Sequence, residues 1–298
     1  MGQVVAYIWN IRRQLRQYSF DAIFCNDMRG LLTVGIAARL LGVPVMIWDK
    51  LDKPHGWMDW VQLPLVYKNL IISDSVRNKY PVWQQRLYHR KITKIYNGAD
   101  LSRFVNAVSI RNELPGDADD ILVAIIGTIT ERKGHDRIVT VWEQLIALCP
   151  NLRLMVVGET SGNVEDDDFL SSLNIIEHPR IHFLGMRKDV PNIMKSIDVL
   201  VVPSRFEGMG QVTVEAMACS VPVIGANTGG IPEVVVNGET GIIIEGDSQQ
   251  GMIDAVVRLA RSSKLRKKMG AAGRARVEKY FNRPLQMKNV LQQLVEMK

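Results

Sequence analysis

The 298-residue sequence predicts an α/β protein built of two doubly wound domains with parallel sheets. Three observations carry this. Short apolar runs rich in Val and Ile recur along the chain; ILVAIIG (121–127), VLVVP (199–203) and VPVIGA (221–226) are the clearest. Stretches with helical spacing separate them, so the strands join by crossovers, which parallel pairing requires. The length suits two domains of about 100–200 residues each.

Taken in order, residues 3–17 read as a helix ending in basic residues, and DAIFCND (21–27) as a buried strand. GLLTVGIAARLL (30–41) has helical spacing and stops at Gly42, with Pro44 just beyond. VPVMIW (43–48), LIISDS (70–75) and KIYNGAD (94–100) continue the strands. The polar stretch 101–120, with Pro115–Gly116, reads as the linker region. The expected division is a first domain over 1–110, a second over 111–281 and a terminal helix over 282–298. In the second domain, strands are expected at 121–128, 153–159, 181–185, 199–204, 221–226 and 240–245. Helices are expected at 136–150, 252–261, 264–279 and 284–297. The acidic run EDDD (165–168) reads as a solvated loop. No internal repeat is visible.

Composition narrows the class. Hydrophobic residues make up 47% and charged ones 23%, an ordinary globular mixture. Cys25, Cys149 and Cys219 lie far apart in apolar contexts without a CxxC pair, which predicts three buried thiols in a reducing compartment. Neither a leader sequence nor a long apolar span is evident, so a cytoplasmic protein is expected. The charge is uneven. Residues 1–100 carry 14 Lys and Arg against 7 Asp and no Glu, and the remainder 23 basic against 24 acidic residues. Such a basic half is either a solvated surface or a face for an acidic partner. An anionic membrane surface or a phosphorylated acceptor is expected rather than nucleic acid.

The chemistry centres on SRFEGMGQVTVEAMAC (204–219). Glu207 falls in the turn after a strand, at the carboxyl end where open α/β sheets bind ligands. Gly208 and Gly210 let the backbone approach a ligand closely. The following helix offers its N-terminus to a diphosphate, and Glu215 lies one turn further in. Carboxylates repel phosphates, so both glutamates suit neutral hydroxyls on either side of a diphosphate. A nucleotide-diphosphate sugar meets all of these demands. No GxGxxG follows a strand, and GANTGG (225–230) lacks the Lys and Ser/Thr of a phosphate-binding P-loop. The five histidines do not cluster at ligand spacing, so no metal and no cofactor is expected.

PSRFEGMGQVTVEAMACSVPVIGANTGGIPEVVVNGETG (203–241) resembles the signature of retaining glycosyltransferases of the GT-B fold, family four, also called group 1. IGTITERKGHD (126–136), NGAD (97–100) and GMRKDVPNIMKSIDVLVVPS (185–204) resemble other blocks of that family, and the match is collinear over about residues 94–281. The resemblance implies a GT-B fold, two Rossmann-like domains facing a cleft, with the first incomplete. It implies transfer of a sugar from a nucleotide-diphosphate sugar to a glycan or lipid-linked acceptor with retention, the acceptor attacking from the side the diphosphate leaves. It also implies roles. Glu207 would face the donor sugar and Lys133 would neutralise the diphosphate. Glu215 would bind the ribose, with Gly208, Met209 and Gly210 offering backbone to the sugar and phosphates. Gly127, Thr128 and Arg132 would line the phosphate side, and Thr228, Gly229 and Gly230 the base or ribose. Arg205 is either a further phosphate contact or a surface charge.

The sequence departs from the family in four places. Thr128 stands where arginine is usual, and Ser220 where glycine is usual. The family's acceptor-side histidine has no counterpart at its place, leaving Asp49 or His55. The strand at 21–27 matches the fourth strand of the family's first domain, which makes it an open sheet edge. The alternatives to an active transferase are therefore a donor-binding subunit needing a companion chain or self-association, or a related sugar-nucleotide epimerase.

Overall fold

The computed structural model describes residues 2–51, 54, 56–175 and 178–297. His55, one of the two acceptor-side candidates, lies outside the described residues. The chain divides into two compact units, residues 1–98 with 284–298, and residues 99–283.

The first unit holds strands β1 (Ile23–Cys25), β2 (Val45–Asp49), β3 (Lys68–Ile71) and β4 (Ile92–Lys94), all parallel, in the order β1-β2-β3-β4. The strand expected at 21–27 is thus an edge, paired only with β2. Helix Gly2–Leu15 precedes it. The helical run expected over 30–41 forms over 28–39, with a π turn at Leu31–Gly35. A Cβ on Gly35 would stand 2.8 Å from Leu31 Cδ1 and 3.3 Å from Cys25 Sγ, so glycine lets this turn press onto the sheet. The strand expected at 94–100 is a correction. β4 ends at Lys94, and Asn97–Gly98, turn formers both, lead the chain away.

The second unit holds β5 (Ile121–Ile126), β6 (Leu152–Val157), β7 (Ile181–Gly185), β8 (Val199–Val202), β9 (Val223–Ala226) and β10 (Gly241–Ile244). The sheet is parallel with order β10-β9-β8-β5-β6-β7. The chain leaves β5 toward β6 on one side and β8 toward β9 on the other. Loops after β5 and β8 therefore part above the sheet and open a crevice between them. Every residue of β8 and β9 is buried, as befits central strands covered on both faces.

Other expectations change in detail. The helix expected at 136–150 is two, His135–Val139 and Trp142–Leu148. Three β-branched residues in succession, Val139 to Val141, disfavour continuity there. EDDD is no loop; Glu165, Asp166 and Asp167 form the first turn of helix Val164–Ser172, where carboxylates favour the positive end of the dipole. Asn163 caps it by accepting the Asp166 N–H at 2.7 Å. The polar stretch after residue 100 is also structured. Helix Leu101–Val105 buries Leu101 and Phe104, and Arg111 donates to Asp198 at 2.9 Å. All three cysteines are free and buried, and burial pushes the Cys219 thiol up to about 11.

Candidate functional site

β8 runs into Pro203 and Ser204, and the turn that follows carries Glu207. Gly210 ends it in the left-handed conformation, φ 77°, and helix Gln211–Ala218 begins. A Cβ there would stand 3.0 Å from Thr213 Oγ1 and 3.2 Å from Ile231 Cγ1, so only glycine suits the position. The turn is held by the next loop. The Gly230 N–H donates to the Glu207 carbonyl at 3.0 Å, and the Thr228 hydroxyl donates to the Arg205 carbonyl at 2.9 Å. Gly229, φ 56°, makes the bend between them.

Across the crevice, the loop after β5 passes Gly127 and the exposed Thr128 to a short 3₁₀ turn, Glu131–Lys133. Gly134, φ 73°, then packs so close to β8's end that a Cβ would stand 2.2 Å from the Pro203 carbonyl oxygen. This contact aims Lys133 at the opposite loop. Its ammonium lies 2.6 Å from Glu207 Oε2, with Arg132 Nη1 at 3.9 Å from the same oxygen and Ser204 Oγ at 3.4 Å. The Glu207 side chain is 14% exposed, so these partners replace most of its contact with water.

The remaining residues divide by what they touch. Arg205 forks onto Asp136 at 2.8 and 2.6 Å and donates to the Glu131 carbonyl at 2.7 Å. Arg132 donates to the Phe206 carbonyl at 3.1 Å. Both arginines thus stitch the two loops together. Met209 is buried and Gly208 half-buried at the helix start. Glu215 lies in the helix. Burial raises its carboxyl to about 7, with Arg103 drawing it back down. Among the described residues none gives Glu215 a side-chain hydrogen bond or ion pair. A half-buried carboxyl without such a partner is uncommon and marks the position out.

Asp49, in the first unit, is engaged. It is 6% exposed and accepts from Lys79 Nζ at 2.7 Å, Tyr80 Oη at 2.5 Å and Gln62 Nε2 at 3.1 Å. Lys79 reaches the Leu51 carbonyl as well, at 3.2 Å, so this buried network anchors the chain leaving β2. Sequence reasoning missed the residues that hold the site: Gly134, Asp136 and Arg137, which donates to the Pro203 carbonyl at 2.9 Å. The run Lys133-Gly134-His135-Asp136 after a strand was their one signal.

A family model described as glycosyl transferases group 1 matches residues 108–276, more than half of the chain. The chain belongs to this family. Among its curated relatives, the capsular polysaccharide biosynthesis glycosyltransferase CapM of Staphylococcus aureus is 30% identical over 55% of the chain and 43% of its own length. A GDP-mannose-dependent monoacylated phosphatidylinositol monomannoside mannosyltransferase of Corynebacterium glutamicum is 32% identical over 64% of the chain and 52% of its own length. The chain spans about half the length of these curated relatives. Anabaena HepE, solved with UDP and glucose, superposes with a TM-score of 0.83 at 21% identity, covering 99% of the chain and 82% of HepE. That likeness shows the GT-B fold expected of this family.

Proposed function

We propose that this group 1 glycosyltransferase moves a sugar from a nucleotide-diphosphate sugar to a glycan or lipid-linked acceptor, with retention of configuration. One observation carries the reading. Lys133 and Glu207 pair at 2.6 Å beside the crevice between β5 and β8, just ahead of the helix Gln211–Ala218, which carries Glu215 one turn further in. The helix N-terminus and Lys133 oppose the charge that builds on the departing diphosphate. Glu207 accepts from the donor sugar's hydroxyls and Glu215 from the ribose. Gly127, Thr128 and Arg132 border the phosphates, and Thr228 to Gly230 shape the base side. Arg205 acts by holding its loop against Asp136. The acceptor attacks on the face the diphosphate leaves, with no side chain assigned as nucleophile and no metal assigned a role.

The test is a transfer assay with UDP- and GDP-linked hexoses, run in chelator and again with added divalent ion. Turnover that Glu207→Gln abolishes and chelator leaves intact supports the reading. Turnover equal in wild type and Glu207→Gln overturns it.

The β1 edge favours a second reading, in which the donor-binding unit works with a companion chain or a second copy. Phe24 lies on this edge exposed, and no Lys or Pro blunts the strand. Light scattering beside the transfer assay separates the two. A monomer with full turnover removes the second reading.

A further inference from the structure

Beside β4 the first unit carries a hollow of ≈ 520 Å³, lined by Arg77, Val82, Gln85, Arg86, His89 and Ile92. Val82, Gln85, Arg86 and His89 follow the spacing of one helical face, along and just past helix Val82–Leu87. Two arginines and a histidine line the hollow, with Asp74 as counter-charge beside Arg77. Arg86 makes no side-chain hydrogen bond or ion pair with any described residue. Arg77 Nε is shut off from solvent without an acceptor. Its nearest carboxylate, Asp74, stands 3.8 Å away and already bonds Lys94 Nζ at 2.5 Å. His89 Nδ1 donates to the Arg86 carbonyl at 2.9 Å, which fixes the ring at the end of the helix.

Aromatic ground adjoins the hollow. Trp83, next to Val82 and one turn before Arg86, meets Trp60 edge to face with ring centres 6.0 Å apart. Both are more than half exposed, at 51% and 57%. Gln84 Nε2 donates to the Trp60 carbonyl at 3.0 Å, which ties the two helices together beneath the rings. Large rings left in water on a fixed backbone mark a surface made to be covered.

We propose that the hollow and the Trp60–Trp83 pair form a subsite for an anionic glycan. A phosphate or carboxylate sits on Arg86 and Arg77, and a neighbouring sugar ring lies on the indoles. The proposal rests on the glycan-acceptor reading above and names that acceptor as a charged one. Guanidinium forks match two oxygens of either group, which a neutral sugar lacks. The donor residues lie in the other unit, so the two sites can be measured apart.

The test uses the full ¹⁵N-labelled chain, with the indole N–H signals of Trp60 and Trp83 assigned through Trp60→Phe and Trp83→Phe. Glucose 6-phosphate, glucuronate, glucose, inorganic phosphate, a thymidine oligonucleotide and phosphatidylglycerol vesicles are titrated in turn. Both charged sugars should shift both indoles, with glucose and inorganic phosphate each binding about ten-fold more weakly. Arg86→Gln, an exposed change, should weaken glucose 6-phosphate about ten-fold, the loss of one charged hydrogen bond, while UDP binding stays unchanged. Equal affinity in wild type and Arg86→Gln overturns the subsite. So does displacement of glucose 6-phosphate by UDP, which would put it in the donor site. Indole shifts from vesicles or oligonucleotide alone would assign the patch to a lipid surface or a nucleic acid instead. Arg86-dependent binding in a chain that binds no nucleotide would leave the subsite standing and sink the transferase reading.

Discussion

Lys133 and Glu207, 74 residues apart, meet at 2.6 Å across the crevice, each supplying the other's counter-charge. On the function proposed above, a diphosphate arriving there would compete with Glu207 for Lys133. The pair would then hold this ammonium in place until the donor took it over, with Arg132 at 3.9 Å left beside the carboxylate.

Lys133→Met removes that exchange. Charged hydrogen bonds contribute about 1.5–3 kcal/mol, so nucleotide-diphosphate affinity should fall about ten-fold or more by calorimetry. Binding of the bare nucleoside should change little, since it carries no phosphate.

Glu215 makes stability depend on pH. Its folded carboxyl is raised from 4.5 to about 7 by burial. Below 4.5 both folded and unfolded chains hold the proton. Between there and about 7 the unfolded chain ionises first, so stability is lost as pH rises. Glu215→Gln should stabilise the chain by roughly 3 kcal/mol at most at pH 8 and by nothing at pH 4, measured by urea unfolding. The same variant should bind UDP and GDP more weakly.

His135 acts in the opposite sense. It is 1% exposed, and burial lowers it from 6.5 to about 4. Above 6.5 both states are neutral and stability is full; as pH falls toward 4 the unfolded chain takes the proton first and stability is lost. The two slopes oppose each other where their windows overlap. His135→Gln should therefore lower stability overall through lost packing, yet unmask a steeper gain in stability on acidification than the wild type shows.

Ser220 sits at φ 62° where the family has glycine. The left-handed region costs an L-residue about 1–2 kcal/mol, so Ser220→Gly should raise the melting temperature by a few degrees without altering turnover. Gly134→Ala is the contrasting control. Its Cβ would meet the Pro203 carbonyl at 2.2 Å, and both stability and nucleotide affinity should drop.

The basic first unit is expected to dock on anionic membrane. Helix Gly2–Leu15 shows Tyr7 and Trp9 to solvent, with the Arg12 guanidinium 4.7 Å from the Trp9 ring centre and Arg13 close by in sequence. Vesicle sedimentation should need phosphatidylglycerol and weaken as salt shortens the screening length to about 8 Å. Sedimentation indifferent to both would leave a merely basic surface.

Much of this was legible in the sequence because it is local. The strands of the second unit announce themselves as Val- and Ile-rich runs, and Glu207, Gly210 and Glu215 share one short segment with its own turn and helix signals. What stayed hidden is set by distant pairing. Arg205 reads equally as a phosphate contact or a surface charge until Asp136, 69 residues away, is seen to engage both its nitrogens. Asp49 reads as an acceptor-side acid until Lys79 and Tyr80, 30 and 31 residues on, close over it. EDDD was misread because its cap, Asn163, precedes it without an apolar run to mark a helix.

The turn carrying Glu207 is fixed by its main chain: Gly230 holds residue 207, Thr228 holds residue 205, and Arg132 holds residue 206, all through carbonyl oxygens. The side chain of Phe206 meanwhile stands in solvent, as does Thr128 on the facing loop. Exposed positions of this kind usually change stability by less than about 0.5 kcal/mol when replaced. A loop whose exposed side chains take no part in its anchoring leaves selection free to rewrite what those positions display. Positions 128 and 206 are accordingly where a library aimed at new donor preference has most room to vary before the fold objects.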